Sequence, residues 1–316
     1  MSGGIESPTN GFRADQSGNK LVEAAAGPAS DLSLISATRE SLDHLDPAAL
    51  SSIIAFLRRT SGIELALDHG YLVISRLEPV VRQFGIEGLS ELADALKGTK
   101  SSELRMAVVD AMTTNETSFF RNNDVFETTV NKIVPSLVDR SPSDQTLNFW
   151  CAACSSGQEV YSLAIALSEA FPELVRRRRF RILASDLSLK MVQRTRDAVY
   201  SQFEVSRGLS PEYLDRYFTP QRRDWVARES LRRMVETRQL NLVAPWRSVP
   251  KCELVLMRNV LIYFGVEAKT QILTRMRDEI LAPSGALVLG ATESIPNHLG
   301  GYSPVRHSRT VFYQVA

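Results

Sequence analysis

Cysteine is scarce in this 316-residue sequence, which contains three, and the positive and negative charges almost cancel. So few cysteines form no disulfide framework and are typical of a reducing cytoplasm. A net charge of +1 creates no strong field for nucleic acid or a membrane surface. The start of the chain lacks the apolar core of a secretion signal, and no apolar run is long enough to span a bilayer. We therefore expect a soluble, cytoplasmic protein without membrane insertion.

Metal-binding and redox patterns are also weak in this sequence. Cys151 and Cys154 have the spacing of a redox or zinc pair, but no second pair and no nearby histidine accompanies them. Their spacing also straddles a predicted buried strand and the turn after it. The four histidines are scattered, without the spacing of a metal site or of a nucleophile and its base. We therefore predict no metal site and no catalytic histidine.

The first third of the chain divides into two compositions. Residues 1–38 are rich in serine, glycine, alanine and asparagine without periodicity, which is typical of a disordered tail. Residues 39–112 repeat apolar residues at helical spacing, which predicts a small all-α domain. Glycines stand where its helices are expected to end, namely Gly62, Gly70, Gly85 and Gly88. An interdomain segment with a helix, residues 113–146, leads into the next domain.

The stretch from Leu147 to Leu167 has the pattern of a strand, a tight turn and a helix. Residues 147–152 are apolar and aromatic, as expected for a strand buried on both faces of a parallel sheet. Apolar residues from Val160 onward recur at helical spacing. Between them, residues 153–157 carry little bulk, so a ligand could lie against the backbone and the amides at the helix start. Small residues in such a turn are also common packing geometry, so the turn alone does not establish a site.

Two acidic residues support a ligand at this turn. Glu159 stands at the helix entrance, where the helix dipole favours a carboxylate. Asp186 ends a second predicted strand, where an acid can accept hydrogen bonds from the two hydroxyls of a ribose. The chain has no G-x-G-x-x-G motif, which disfavours a dinucleotide. The residues therefore predict a nucleoside-binding α/β domain.

The C-terminal half completes this domain, which we place at residues 147–316. A buried strand at residues 252–257 is predicted to deliver Arg258 and Asn259 at the sheet edge where ligands bind. Residues 219–239 alternate in polarity and are predicted to form two or three short antiparallel strands as an insertion. Residues 200–207 are predicted to be a loop. The closing residues, 303–315, are predicted to form antiparallel strands.

Five segments of the chain together resemble the CheR family of chemotaxis receptor methyltransferases. They are TTNETSFFR from Thr113, CSSGQEVYSLA from Cys154, LASDLS from Leu183, Asn241-Leu242, and MRNVLIYF from Met257. The resemblance runs in family order through the chain from about residue 40 to its end. It implies a Rossmann-like methyltransferase domain that uses S-adenosylmethionine and releases S-adenosylhomocysteine. It also implies that the methyl group goes to glutamate side chains of a chemoreceptor.

The resemblance assigns roles to particular residues. The cofactor site would contain Asn115, Thr117, Arg121, Glu159, Asp186, Asn241, Leu242, Arg258 and Asn259. Arg121 and Tyr263 would act at the reacting groups, and Arg76 and Arg82 would dock a substrate helix that bears glutamates. From the residues alone, the two docking arginines could also form a solvated face, and Tyr263 could be an ordinary half-buried tyrosine. The expected partner is the cytoplasmic domain of a chemoreceptor, bound by a monomer.

Other functions remain open from the residues. Gln158, Val160 and Met257 depart from the family's usual residues, which leaves room for a non-catalytic module that binds a receptor or a nucleoside. The arginine-rich residues 176–181 could contact nucleic-acid phosphates, although such a run is ordinarily a solvated loop, and we expect no nucleic-acid partner. The family pattern also has a histidine-serine-glutamate corner, where this chain has Ala291-Thr292-Glu293.

The predicted insertion yields a first test. Some members of the family carry a glycine-bearing extension there that captures a peptide tether at the receptor's C-terminus, whereas residues 219–239 contain no glycine. We therefore predict the tether-independent type. Receptor C-terminal peptides should show no micromolar binding to this protein in a pull-down, and clear binding in that range would contradict the prediction.

Overall fold

The computed structural model of the protein describes residues 46–98, 101–307 and 309–315. The predicted tail, residues 1–38, lies outside the described residues. The helices are α1 Pro47–Ser61, α2 Gly70–Gln83, α3 Leu89–Lys97, α4 Ser102–Met112, α5 Asn123–Thr128, α6 Val134–Arg140, α7 Gln158–Ala170, α8 Pro172–Arg176, α9 Leu189–Asp197, α10 Gln202–Ser206, α11 Pro211–Tyr217, α12 Glu229–Arg232 and α13 Val266–Arg275. The strands are β1 Leu147–Ala152, β2 Phe180–Asp186, β3 Val199–Ser201, β4 Phe218–Gln221, β5 Asp224–Ala227, β6 Val235–Gln239, β7 Cys252–Met257, β8 Leu281–Leu289, β9 Tyr302–His307 and β10 Thr310–Val315.

Helices α1 to α4 form a small all-α domain around their own apolar core. Its fully buried residues include Ile53, Leu57, Val73, Leu77, Leu92 and Val108. The side chain of Asp46 caps the start of α1 by accepting a hydrogen bond from the Ala48 N–H. Gly62 ends α1 in the left-handed conformation, as predicted. The expectations for Gly70 and Gly88 were wrong, because Gly70 is the first residue of α2 and Gly88 directly precedes the start of α3.

The second domain is built on a seven-stranded sheet in the order β6-β2-β1-β7-β8-β10-β9. The first five strands are parallel, and the two C-terminal strands, β9 and β10, are antiparallel as predicted. Successive residues of β1 point to opposite faces, so Phe149 belongs to one apolar core and Trp150 to the other. Both faces of the strand are therefore buried, which explains its nearly continuous apolar sequence. These features confirm the predicted α/β class.

A separate three-stranded sheet, in the order β3-β5-β4, corrects the predicted insertion. Strand β6 was predicted to be antiparallel within residues 219–239, but it pairs in parallel with β2 as the edge of the main sheet. The predicted loop at residues 200–207 was also wrong, because its first two residues belong to β3, which pairs antiparallel with β5, and residues 202–206 form α10. Short strands of similar polarity look alike in sequence, and their partners are decided by long-range pairing. The turn between β4 and β5 contains two arginines, of which Arg222 is left-handed.

The helical domain and the sheet domain meet at a close joint beside Gly62. A Cβ atom on Gly62 would lie 2.5 Å from Val243 Cγ1 and 2.8 Å from the Phe264 ring. Next to it, Ile63 forms a single antiparallel bridge with Phe264, and the Glu64 N–H donates to the Tyr263 carbonyl at 2.9 Å. The end of α1 is therefore fixed against the loop that follows β7.

This joint predicts a difference between two left-handed glycines. Gly62→Ala should lose about 1–2 kcal/mol of folding stability from the backbone conformation and about 1–3 kcal/mol more from overpacking. Gly85→Ala is the matched control, because Gly85 is also left-handed but has no atom within 4 Å of its Cβ position. Urea unfolding of both variants measures the two losses, and equal losses would show that the joint is not tightly packed.

Candidate active site

A cavity opens at the carboxyl edge of the parallel sheet, with an empty volume of about 990 Å³ that includes its mouth. The register explains its position, because Ala152 lies beside both Ser185 and Met257, so β1, β2 and β7 end level with one another. The cavity brings together all ten residues predicted for the cofactor and the reaction: Asn115, Thr117, Arg121, Glu159, Asp186, Asn241, Leu242, Arg258, Asn259 and Tyr263.

The turn between β1 and α7 forms the floor of this cavity with an unusual backbone. Ala153 and Ser155 are left-handed with φ of 56° and 49°, and Gly157 has a φ of 92°. Such conformations in residues other than glycine persist where surrounding contacts hold them, and they cluster at functional sites. Here the Ser155 N–H donates to Asp186 Oδ2 at 2.8 Å, and the Ser155 hydroxyl donates to the Asn115 carbonyl at 2.8 Å. The turn is thereby tied to β2 and to the interdomain segment.

Asp186 is 6% exposed and presents a carboxylate to the cavity. Its Oδ2 accepts from Ser155 and its Oδ1 accepts from the Ser188 N–H at 2.9 Å. Burial raises the pKa of Asp186, and the two backbone hydrogen bonds offset part of that rise. A carboxylate has about four acceptor positions, so each oxygen can still accept from a ligand hydroxyl. This geometry fits the recognition of a ribose.

Arg258 lines the cavity, and the two terminal nitrogens of its guanidinium bind other groups of the chain. Its side chain is 1% exposed, and Nη1 lies 2.5 Å from Glu159 Oε2. Its Nη2 donates to the Arg121 carbonyl at 2.9 Å and to Asn122 Oδ1 at 3.0 Å. These contacts form what we call the Arg258 clamp, which joins β7, α7 and the interdomain segment. Arg258 and Glu159 therefore bind each other and also line the cavity.

Arg121 is held at its backbone, and its side chain is more exposed than that of Arg258. The residues on both sides of it, Phe120 and Asn122, are left-handed with φ of 48° and 59°. Its carbonyl is bound by the clamp, while its Nη1 makes a long bond of 3.4 Å to the Glu116 carbonyl. Arg121 lines the cavity, and its contact with Glu116 uses one of the five guanidinium donors, so the side chain can meet a negatively charged group.

Asn241 and Tyr263 contribute to the wall on the side of the helical domain. The Asn241 side-chain amide donates to the Thr60 carbonyl at 2.7 Å, and its Oδ1 accepts from the Val243 N–H at 3.2 Å. This side chain is therefore a tie between domains at the edge of the cavity. Tyr263 is half-buried at the end of the short turn Leu261–Tyr263. Its ring lines the cavity, as its place in the predicted site requires.

The two arginines predicted to dock a substrate are not among the described residues that line the cavity. Arg76 donates to the carbonyls of Met112 and Thr113 at 3.0 and 3.4 Å, and to Thr114 Oγ1 at 3.1 Å. It braces the start of the interdomain segment, a role that sequence reasoning missed. Arg82 is exposed and pairs with Glu78 at 2.5 Å. Docking by either residue stays a prediction.

Two other sequence patterns have ordinary structural explanations. Cys151 and Cys154 are buried, and burial raises the pKa of both thiols, which disfavours reactive thiolates. Within residues 46–98, 101–307 and 309–315, no group of side chains has a metal-binding arrangement.

In the arginine-rich run, Arg179 is buried against backbone carbonyls that include that of Pro142 at 2.9 Å. Arg176 and Arg181 form ion pairs with Glu173 and Glu236.

Some residues at the site carried no clear signal in the sequence. Ser61 and Ile63 of the helical domain line the cavity, because the domain joint brings the end of α1 to the sheet edge. Glu293 lies just behind the wall and accepts hydrogen bonds from the loop after β7. The resemblance placed it at the family's histidine-serine-glutamate corner, but its contacts could not be read from the sequence.

Comparisons with known proteins agree with this architecture. Residues 115–311 match the family described as "CheR methyltransferase, SAM binding domain", where SAM is S-adenosylmethionine. Residues 48–113 match "CheR methyltransferase, all-alpha domain". In the part of the chain that the structure describes, no helix is long and apolar enough to cross a membrane.

Relatives cover most of the chain. Chemotaxis protein methyltransferase Cher2 of Pseudomonas putida is 39% identical over 82% of this chain and 94% of its own length. Chemotaxis protein methyltransferase 1 of Pseudomonas aeruginosa is 41% identical, and the chemotaxis protein methyltransferase of Vibrio parahaemolyticus is 35% identical, with the same coverage. The chain belongs to the CheR methyltransferase family, and its cofactor is S-adenosylmethionine.

Proposed function

We propose that the protein transfers a methyl group from S-adenosylmethionine to glutamate side chains on the cytoplasmic domain of a chemoreceptor. The products are a glutamate methyl ester and S-adenosylhomocysteine. Membership of the family and the names of the relatives support methyl transfer in chemotaxis. The observation that carries the proposal is that the motif residues, although far apart in sequence, line one cavity at the sheet edge.

The residues fit a sulfonium nucleoside and its acceptor. Asp186 would hold the ribose hydroxyls, and the small residues of the turn leave room against the backbone. Asn241 and Leu242 would lie beside the adenine and ribose, with Asn115, Thr117 and Asn259 completing the binding site. The bound cofactor supplies an electrophilic methyl group.

The acceptor needs no general base, because a glutamate with a pKa of about 4.3 is already ionised at neutral pH. This agrees with the described lining of the cavity, which contains no histidine. The chain must instead align the acceptor oxygen with the methyl group and exclude water, and such positioning can contribute about 7–11 kcal/mol. Arg121 would guide the incoming carboxylate, and Tyr263 would orient the acceptor oxygen or the methyl group.

The substrate surface extends beyond the cavity. A helix that carries glutamates is negatively charged, so exposed arginines of the helical domain would favour its approach. Arg82 has the exposed side chain that this role needs, whereas Arg76 acts mainly through its contacts with the interdomain segment. We propose that the protein works as a monomer in the cytoplasm, where the receptor domain lies.

The function is tested by incubating the protein with a receptor cytoplasmic domain and isotopically labelled S-adenosylmethionine. Mass spectrometry should find labelled methyl esters on glutamates of the receptor. Tyr263→Phe should lower turnover roughly fivefold while S-adenosylhomocysteine binding stays close to wild type, since about 1 kcal/mol from one hydrogen bond would be lost in the transition state.

Tyr302→Phe is the control for the tyrosine change. The Tyr302 hydroxyl donates to the Leu273 carbonyl at 2.7 Å, away from the described lining of the cavity, so its loss should leave turnover unchanged. A Tyr263→Phe variant that loses cofactor binding more than turnover would remove Tyr263 from the reacting centre. Absence of any labelled glutamate with the wild-type protein would refute the proposed function.

The raised pKa of Asp186 predicts how cofactor binding depends on pH. As pH falls, Asp186 should protonate at a higher pH than an ordinary aspartate with a pKa of about 3.9. The affinity for S-adenosylhomocysteine should therefore begin to fall at a higher pH than it would with an ordinary aspartate. Calorimetry measures this affinity at each pH where circular dichroism shows that the chain is folded. Asp186→Asn should bind more weakly and show a flatter pH profile, and an unchanged profile would mean that another group governs it.

The raised pKa of Asp186 affects the folding stability of the free protein in the opposite direction: acidification weakens cofactor binding but favours folding. A raised folded pKa contributes stability that is fully present below the unfolded pKa of aspartate and is lost as pH rises through the folded value. Ionised Asp186 therefore costs stability at neutral pH, where it is needed for the ribose. Hydrogen bonds from the ribose hydroxyls of the cofactor to Asp186 would offset that cost when the cofactor binds.

A further inference from the structure

A single carboxylate, that of Glu293, accepts four backbone N–H groups behind the cavity wall. Its Oε2 accepts from Asn259 at 2.7 Å and from Gly290 at 2.7 Å. Its Oε1 accepts from Val260 at 2.9 Å and from Ile262 at 3.3 Å. Both oxygens are therefore used for the backbone, and three of the four donors belong to one loop.

The topology explains why this carboxylate can reach that loop. Strands β7 and β8 are parallel neighbours, with Met257 beside Leu289, so the segments that follow them leave the same edge of the sheet. Residues 290–293 form a tight turn in which the Glu293 N–H donates to the Gly290 carbonyl at 2.9 Å. A Cβ atom on Gly290 would lie 2.5 Å from Glu293 Oε2, so the carboxylate needs a glycine at this place.

The loop held by Glu293 runs from Arg258 to Phe264 and carries Tyr263, which we placed at the reacting groups, as well as Arg258 and Asn259 of the proposed cofactor site. Asn259, Val260 and Tyr263 all line the cavity. Asn259 is left-handed with a φ of 57°, a conformation that needs support from its surroundings. Successive backbone N–H groups around such a residue form a concave site for an anion, and here the Glu293 carboxylate occupies it.

We propose that Glu293 is a positioning residue for methyl transfer, which acts by fixing the loop that places Tyr263 at the reacting groups. The inference rests on the proposed function for its effect on turnover. The nucleoside side of the cavity, with Asp186 and the turn after β1, is held by separate contacts. Loss of Glu293 therefore leaves the contacts of Asp186 in place but displaces Tyr263 together with Asn259, so turnover falls more than cofactor affinity.

Replacement by glutamine gives an unusually sharp test of this arrangement. The change keeps the size of the side chain, but one oxygen becomes an NH₂ group that only donates. Each oxygen of Glu293 faces two N–H donors, so either orientation of the amide sets donors against donors. Glu293→Gln should therefore release the loop, although it is a conservative change elsewhere.

The experiment compares Glu293→Gln with Glu253→Gln in the full-length protein. Glu253 is the matched control, because its carboxylate also accepts a backbone N–H, that of Asn148 at 2.7 Å, but near the start of β7, at the other end of the strand that leads into the loop. Three quantities are measured: turnover with a receptor cytoplasmic domain, S-adenosylhomocysteine affinity by calorimetry, and amide hydrogen exchange of residues 258–264.

For Glu293→Gln we expect turnover to fall roughly 100-fold, the scale expected from a displacement of about 1 Å at a reacting group. S-adenosylhomocysteine affinity should fall far less, and the amides of residues 258–264 should exchange faster. Glu253→Gln should lower the melting temperature while leaving turnover and exchange in this loop unchanged. Equal effects of the two substitutions, or an equal loss of binding and turnover in Glu293→Gln, would overturn the proposal.

A second substitution keeps the test decisive if Glu293→Gln does not fold. Glu293→Asp retains both acceptor oxygens on a shorter side chain, so it should show intermediate turnover and intermediate loop exchange. Wild-type loop exchange in Glu293→Asp, in the absence of a folded glutamine variant, would overturn the proposal. Amide exchange and cofactor affinity do not depend on the receptor, so they judge Glu293 even if the wild-type protein fails to methylate glutamate.

Discussion

The contact on which the site depends is the Arg258 clamp. A guanidinium whose side chain is 1% exposed binds the Glu159 carboxylate at 2.5 Å and the Arg121 carbonyl at 2.9 Å. A buried charge of this kind depends on its partners, because removing one of them leaves an uncompensated charge. The clamp therefore requires β7, α7 and the interdomain segment to hold one arrangement. Arg76 fixes the other end of that segment through the carbonyls of Met112 and Thr113.

Three carboxylates near the cavity differ in the groups that they bind. Asp186 accepts two backbone N–H groups and keeps acceptor positions for a ligand. Glu159 balances the charge of Arg258, and Glu293 is filled by four backbone N–H groups. Asp186 and the loop after β7 are thus supported by different groups.

Sequence reasoning succeeded where the signal was local and long. The apolar run of β1, the helical period after Glu159 and the acid at the end of β2 each predicted the element that the structure shows. It failed for β6 and β3, which are short strands with ambiguous polarity, since their partners are chosen by pairing across the fold. It also could not distinguish an arginine that docks a substrate from Arg76, whose guanidinium bonds to carbonyls 36 and 37 residues away in the chain.

The amino-acid sequence by itself determined the fold class, the family and ten of the residues that line the cavity. These follow from patterns and motifs that each lie within a few neighbouring residues. The tertiary structure alone decided which of those residues face a ligand and which bind one another, as Arg258 and Glu159 do across 99 residues. It also gave Glu293 its role, because four N–H groups converge on one carboxylate only when β7 and β8 lie side by side.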